Sequence, residues 1–251
     1  MLWVGTSWKM NGTLGFARDY ATRLAKALAD GAPSGVQPFI IPPATALTVV
    51  RDCLGPDSPV LLGVQNAHWE DAGAWTGEIS VPQAAEAGAA LVEIGHSERR
   101  EFFGETDATV NLKVRSTLRH GLRPILCVGE SAAVFEAGDS VEHVLGQVAA
   151  ALADVADPSR VVIAYEPIWA IGEHGREARP ADIAPVFAAL ADEWGDRVTA
   201  ILYGGSVNPG NAVDTLRVPG VDGLFVGRAA WTIDGYLGLL DIAAGAVAQV
   251  A

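Results

Sequence analysis

The sequence predicts a closed (β/α)8 barrel, an α/β fold made as one domain over residues 1–251. Three observations carry that expectation. Eight short apolar runs recur along the chain, at 2–4, 38–41, 60–64, 91–94, 124–128, 161–165, 198–202 and 224–226. Alanine-rich segments with helical spacing lie between them, as at 16–28, 141–152 and 183–194. Strands alternating with helices imply a parallel sheet covered on both faces, and eight such units in 251 residues suit a closed barrel better than an open doubly wound sheet. No Gly-x-Gly-x-x-Gly follows the first run, which speaks further against the open sheet.

In such a barrel the chemistry gathers at the carboxyl ends of the strands. The first run continues Gly5-Thr6-Ser7-Trp8-Lys9-Met10-Asn11, and period-two alternation turns Ser7 and Lys9 the same way. The fourth ends Gly95-His96-Ser97-Glu98-Arg99-Arg100, a histidine at the entry to a polar turn or helix. Inside that run Glu93 is a charge among apolar residues and needs a buried partner. The sixth run leads into Ala164-Tyr165-Glu166-Pro167-Ile168-Trp169-Ala170-Ile171-Gly172, where a carboxylate sits at the strand end and the proline stops the ladder. An exposed loop has no structural need for Ile168, Trp169 and Ile171; a loop that closes over a site and excludes water does. Beyond it, Pro180 and Asp182 provide a start for the helical segment 183–194. The seventh run ends Tyr203-Gly204-Gly205-Ser206 and the eighth Val226-Gly227-Arg228. Glycine turns mark any tight bend, but they also let backbone N–H groups approach a phosphate closely.

Half the residues are apolar, enough for a large core, yet no stretch approaches the ~20 apolar residues of a membrane span. The start, 1–5, has neither the basic nor the long apolar region of a signal peptide. Cys53 and Cys127 form no disulfide framework, so reduced thiols in the cytoplasm are expected. The net charge of -13 argues against nucleic acid or an anionic membrane as partner. It also means that an anionic substrate needs a local positive field.

Taken singly, Lys9, His96 and Glu166 each have an ordinary reading as surface or backbone-satisfying groups. Three of them on separate strand ends of one barrel mouth are a stronger signal. His96 and Glu98 have no evident third ligand nearby, so no metal is expected, and no cofactor. Cys127 lies inside an apolar run, unlike a nucleophile. A carboxylate base, a histidine and a cation suit proton abstraction next to a carbonyl, with the developing enediolate stabilised by the other two groups.

At these residues the chain resembles the triosephosphate isomerase family. The matching motifs are Trp8-Lys9-Met10-Asn11-Gly12, Gly95-His96-Ser97-Glu98-Arg99-Arg100, 164–172 and Tyr203-Gly204-Gly205-Ser206-Val207, and the likeness covers essentially the whole chain. The resemblance implies a TIM barrel with Glu166 as base, His96 as neutral electrophile and Lys9 as substrate cation. It also implies Glu98 as a supporting residue near Lys9, and Gly172, Ser206, Gly227 and Arg228 as phosphate-holding N–H groups. It implies a homodimer through loop 67–80, in which Trp69, Trp75 and Thr76 suggest a buried contact; the plainer reading packs that loop on its own subunit.

The departures from the family pattern bear on substrate. The usual Asn-x-Lys is Ser7-x-Lys9, the paired glycines after the eighth strand are Gly227-Arg228, and the lid tail 172–177 is altered. Serine leaves room where asparagine would touch the reacting end, and an added hydroxymethyl group turns a triose phosphate into a tetrulose phosphate. These departures resemble the erythritol-catabolism branch of the family, which interconverts L-erythrulose 1-phosphate and D-erythrulose 4-phosphate. That implies a tetrulose-phosphate isomerase. The alternatives are an ordinary triosephosphate isomerase, a non-catalytic phosphosugar-binding barrel and a Schiff-base aldolase using Lys9.

Overall fold

A computed structural model describes residues 1–171 and 175–250. Eight parallel strands, β1 (Leu2–Ser7), β2 (Val36–Ile41), β3 (Leu61–Val64), β4 (Leu91–Ile94), β5 (Arg123–Val128), β6 (Val162–Tyr165), β7 (Ala200–Tyr203) and β8 (Gly223–Val226), pair in chain order, and β8 returns to β1. The expected (β/α)8 barrel is therefore the observed one. Period-two alternation sorts its side chains. Trp3, Phe39, Leu91, Ile125, Val162 and Phe225 fill the barrel interior. Their neighbours Val4, Ile40, Val92, Leu126, Ile163 and Leu224 face the surrounding helices.

Several strand boundaries differ by one to three residues from the sequence expectation, β2 starting two residues early at Val36, and two of the shifts have a local reason. β1 runs on through the polar Thr6 and Ser7, which pair with Ile40 and Ile41 of β2. β7 begins two residues late because the Val198 N–H is bonded to Trp194 O, closing the preceding helix. That helix, Pro180–Trp194, starts where Asp182 Oδ2 accepts the Arg179 N–H at 3.0 Å. The helix expected over 16–28 is Leu14–Ala27, with the Thr13 side chain as its cap, and the one over 141–152 is Ser140–Ala151.

The end of β1 is anchored by Trp8. Its fully buried ring meets Phe16 and Tyr20 edge-on, with centroids 5.1 and 4.8 Å away. Aromatic pairs of this kind contribute about 0.5–1.5 kcal/mol each beyond area burial. They fix the backbone from which Ser7 and Lys9 project. In loop 67–80 the His68 ring lies 4.1 Å from Trp69 and 4.4 Å from Trp75, and the His68 N–H bonds Ile79 O, so the loop folds on itself. Trp75 nonetheless stays 48% exposed.

Candidate active site

Lys9 follows β1 with φ 51°, in the left-handed region that non-glycine residues disfavour by about 1–3 kcal/mol. Side-chain amides hold this turn: Gln65 Nε2 donates to Lys9 O at 2.8 Å, and Asn11 Nδ2 to Trp8 O at 2.9 Å. The turn carries the ammonium into the barrel mouth, where Lys9 Nζ donates to Glu98 Oε1 at 2.6 Å. Both partners are partly exposed, so the pair positions the lysine more than it stabilises the fold.

His96 lies two residues past the end of β4 and caps the helix Ser97–Phe103. Its Nδ1 accepts the Glu98 N–H at 3.1 Å. A ring nitrogen that accepts an N–H carries no proton, so the neutral ring bears its proton on Nε2. That nitrogen lies 3.5 Å from Glu166 Oε1.

Glu166 is buried, and its backbone is clamped. Its N–H bonds Val128 O at 2.7 Å, and Gly129 lies so close that a Cβ there would fall 1.8 Å from Glu166 O. On the other side, a Cβ on Gly204 would stand 2.9 Å from Glu166 Cγ. Cys127 faces the interior beside this carboxylate; burial, then the charges of Glu166 and Glu93, hold its thiol well above its usual range. A thiol so held is no nucleophile. After Pro167 the chain makes a 3-10 turn, Ile168–Ala170. Trp169 Nε1 and Tyr165 Oη both donate to Glu130 Oε1, at 2.8 and 3.0 Å. Arg176 covers Trp169, its guanidinium carbon 4.8 Å from the ring centre. Ser206 Oγ donates to Ala170 O, tying this loop to the turn after β7. Ile168, Trp169 and Ile171 are thus partly buried rather than exposed. Gly172, with Glu173 and His174, lies outside the described residues.

A cavity of about 600 Å³ opens at this end of the barrel. Ser7, Lys9, His96, Glu98, Glu166, Ser206, Gly227 and Arg228 all border it, so the described catalytic and substrate-binding candidates meet at one place. Arg228 begins a 3-10 turn at the rim and, with Lys9, brings positive charge to a mouth that also carries Glu98 and Glu177. A second cavity of about 390 Å³ adjoins it, sharing Ser7, Lys9, Glu93, His96 and Glu98 and extending to Gln65 and Asn66.

The sequence reading missed one carboxylate, Glu130, and left the partner of another, Glu93, open. Glu130 follows Val128-Gly129 at the end of β5, where a strand-end glycine and carboxylate were the available signal. It is fully buried and accepts the Trp169 indole N–H. Glu93 finds the partner its burial demanded: Ser7 Oγ donates to Glu93 Oε2 at 2.8 Å, from a strand 86 residues away in sequence. Burial, with the Glu166 charge adding to it, pushes the Glu93 carboxyl up to about 7 against the opposing pull of His96, Ser7 and Lys9. Glu93, His96 and Glu166 each place a donor atom within 4.8 Å of the others, a spacing that fits a small cation. A cation there would occupy the lone pair of Glu166 that proton abstraction needs, and the Ser7 hydroxyl already engages one Glu93 oxygen.

Known proteins share this architecture and sequence. The family model described as triosephosphate isomerase matches residues 2–243. An L-erythrulose-1-phosphate isomerase of Mycolicibacterium smegmatis is 60% identical over 245 residues, covering 97% of this chain and 93% of that one. The Mesorhizobium japonicum protein of the same name is 48% identical, covering 98% of each. A crystal structure of triosephosphate isomerase from Bartonella henselae superposes with a TM-score of 0.85 at 35% identity, covering 96% of this chain and 98% of that one. The chain belongs to the triosephosphate isomerase family.

Proposed function

We propose that this protein is a tetrulose-phosphate isomerase that interconverts L-erythrulose 1-phosphate and D-erythrulose 4-phosphate through an enediolate. The observation that carries the chemistry is the convergence of the Glu166 carboxylate, the His96 Nε2–H and the Lys9 ammonium on one cavity. Glu166 takes the proton from C3, and the C–H electron pair becomes the C2–C3 double bond while the C2 carbonyl becomes an oxyanion. His96 and Lys9 stabilise that oxygen. The proton returns to C2, a hydroxyl proton passes from O3 to O2, and the ketone has moved by one carbon with all atoms conserved. The N–H groups of Ser206, Gly227 and Arg228, with Gly172, hold the phosphate. The loop over Glu166 keeps water from the intermediate, which would otherwise eliminate phosphate.

The substrate assignment is supported by the names of the bacterial relatives and by Ser7, whose small side chain leaves space beside the reacting carbons. The second reading, a triosephosphate isomerase, is favoured by the family as a whole and by the Bartonella neighbour. The ratio of kcat/KM on L-erythrulose 1-phosphate to that on D-glyceraldehyde 3-phosphate separates the two. A ratio well above one is expected, and a preference for the triose would refute the tetrulose assignment.

The working form proposed is a cytoplasmic homodimer. Met10 is 96% exposed and Phe102 and Phe103 are each 68% exposed; Met10 and Phe103 border the same cavity as Gly77, Glu78 and Ile79 of loop 67–80. Apolar groups gathered beside that loop suit a second copy. The described cysteines, Cys53 and Cys127, are both free, as in a reducing compartment. Light scattering after gel filtration should give twice the chain mass.

A further inference from the structure

The barrel carries one polar pair that the isomerase chemistry alone does not use. Leu91 and Glu93 are the inward-facing residues of β4, and Leu91 lies in the apolar interior. Glu93, one step nearer the mouth, is 3% exposed and flanked in sequence by fully buried Val92 and Ile94. An apolar side chain at that position would spare the barrel a buried carboxyl. Its one oxygen receives the Ser7 hydroxyl, and the group borders both cavities. Trp231 Nε1 donates to Ser7 O at 3.0 Å and pins the other member of the pair.

We propose that Ser7 and Glu93 form the recognition site for the terminal hydroxymethyl group of the substrate, with Glu93 as the main residue separating a tetrulose phosphate from a triose phosphate. This rests on the tetrulose reading. The geometry follows from the strand order: β4 lies across the ring from β8, and the turns after β7 and β8 take the phosphate. A substrate held there, with its reacting carbons between Glu166 and His96, points its far end at β4. Glu93, His96 and Glu166 each bring an oxygen or nitrogen within 4.8 Å of the others, so the Glu93 carboxyl borders the space between Glu166 and His96 in which the reacting carbons would lie. The Ser7 proton is committed to Glu93, so Ser7 Oγ is left as an acceptor. Burial favours the acid form of Glu93, which donates where a carboxylate cannot and adds no second charge beside Glu166. A hydroxyl on the substrate can therefore both give and receive a hydrogen bond. A triose has nothing to offer this pair, and sites built to bond a hydroxyl discriminate strongly against a substrate lacking it.

Kinetics of the intact protein and of Glu93→Leu and Ser7→Ala on both sugars test this. The wild-type ratio of kcat/KM, tetrulose over triose, reads the substrate assignment by itself. The change in that ratio on substitution reads the pair. Glu93→Leu should lower the ratio about ten- to a hundred-fold, and Ser7→Ala a few-fold in the same direction. A wild-type preference for the tetrulose that survives Glu93→Leu, or equal losses on both sugars, overturns the role of the pair while leaving the assignment standing. A crystal structure of the unaltered protein with a tetritol 1-phosphate, which has no carbonyl to isomerise, does not depend on the variant's folding. The terminal hydroxyl should lie within hydrogen-bond distance of Glu93; a hydroxymethyl directed instead toward Gln65 and Asn66 refutes the proposal.

Discussion

The two walls of the cavity are built on different principles. On the β6–β7 side Glu166 is placed by shape. Its carbonyl is packed against Gly129, its Cγ against Gly204, and its N–H is tied to β5, so there is no space for one more carbon. On the β1–β4 side the placement is polar. Ser7 meets Glu93, Lys9 meets Glu98, and a disfavoured backbone turn is held by the amides of Gln65 and Asn11. A base must keep one position through both proton transfers, which close packing enforces. A recognition surface must instead match hydroxyls, which only donors and acceptors can do. The first wall should be intolerant of changes in length and volume, the second of changes in polarity.

The largest effect should come from length on the packed wall. Glu166→Asp withdraws the carboxylate by one methylene from a site whose backbone cannot follow, and kcat should fall about 10²–10⁴-fold on either sugar. KM should change little, because the phosphate contacts remain. Near-normal turnover would show that Glu166 is not the base. The next effect belongs to the polar wall and appears in stability. Glu93 is carried from 4.5 up to about 7, so between those values the folded protein holds a proton that the unfolded chain has released. Its contribution is full below pH 4.5 and is lost as pH rises through 7, a loss of about 3 kcal/mol. Glu93→Gln keeps the shape and cannot titrate. Denaturant unfolding of both proteins from pH 4.5 to 8 should show the variant's stability rising relative to wild type; parallel curves would mean that Glu93 is ionised throughout.

The same division explains what could be read from the sequence. Strand alternation and eightfold recurrence are local, so the barrel was legible, and with it the gathering of strand-end residues at one mouth. Lys9, His96 and Glu166 meet there because topology requires it. Contacts across the ring are not local. Glu93 gave away its need for a partner, but that Ser7 supplies it depends on both residues facing inward at matching heights in the closed barrel. Glu130 looked like any polar residue after a strand, because the tryptophan it holds lies 39 residues away in sequence. The late start of β7 was hidden for a similar reason: Val198 has the side chain of a strand residue, but its N–H is spent on a helix end.

The smallest predicted effect separates room from polarity at Ser7 itself. Ser7→Asn brings an amide that can still donate to Glu93 Oε2, so the polar pair is preserved while the free space shrinks. Ser7→Ala does the reverse, keeping the space and removing the hydroxyl. If Ser7 acts by leaving room, Asn should lower kcat/KM on the tetrulose about ten-fold, the result of crowding a packed site by roughly 1–3 kcal/mol. The triose should lose less, since it never occupied that space. Ala should then lower the ratio only a few-fold. Losses of equal size on both sugars for Asn would mean that the space beside Ser7 is not where the extra carbon goes. A larger loss of preference for Ala than for Asn would place the discrimination in the hydroxyl, and therefore in the bond to Glu93, rather than in the room that serine leaves.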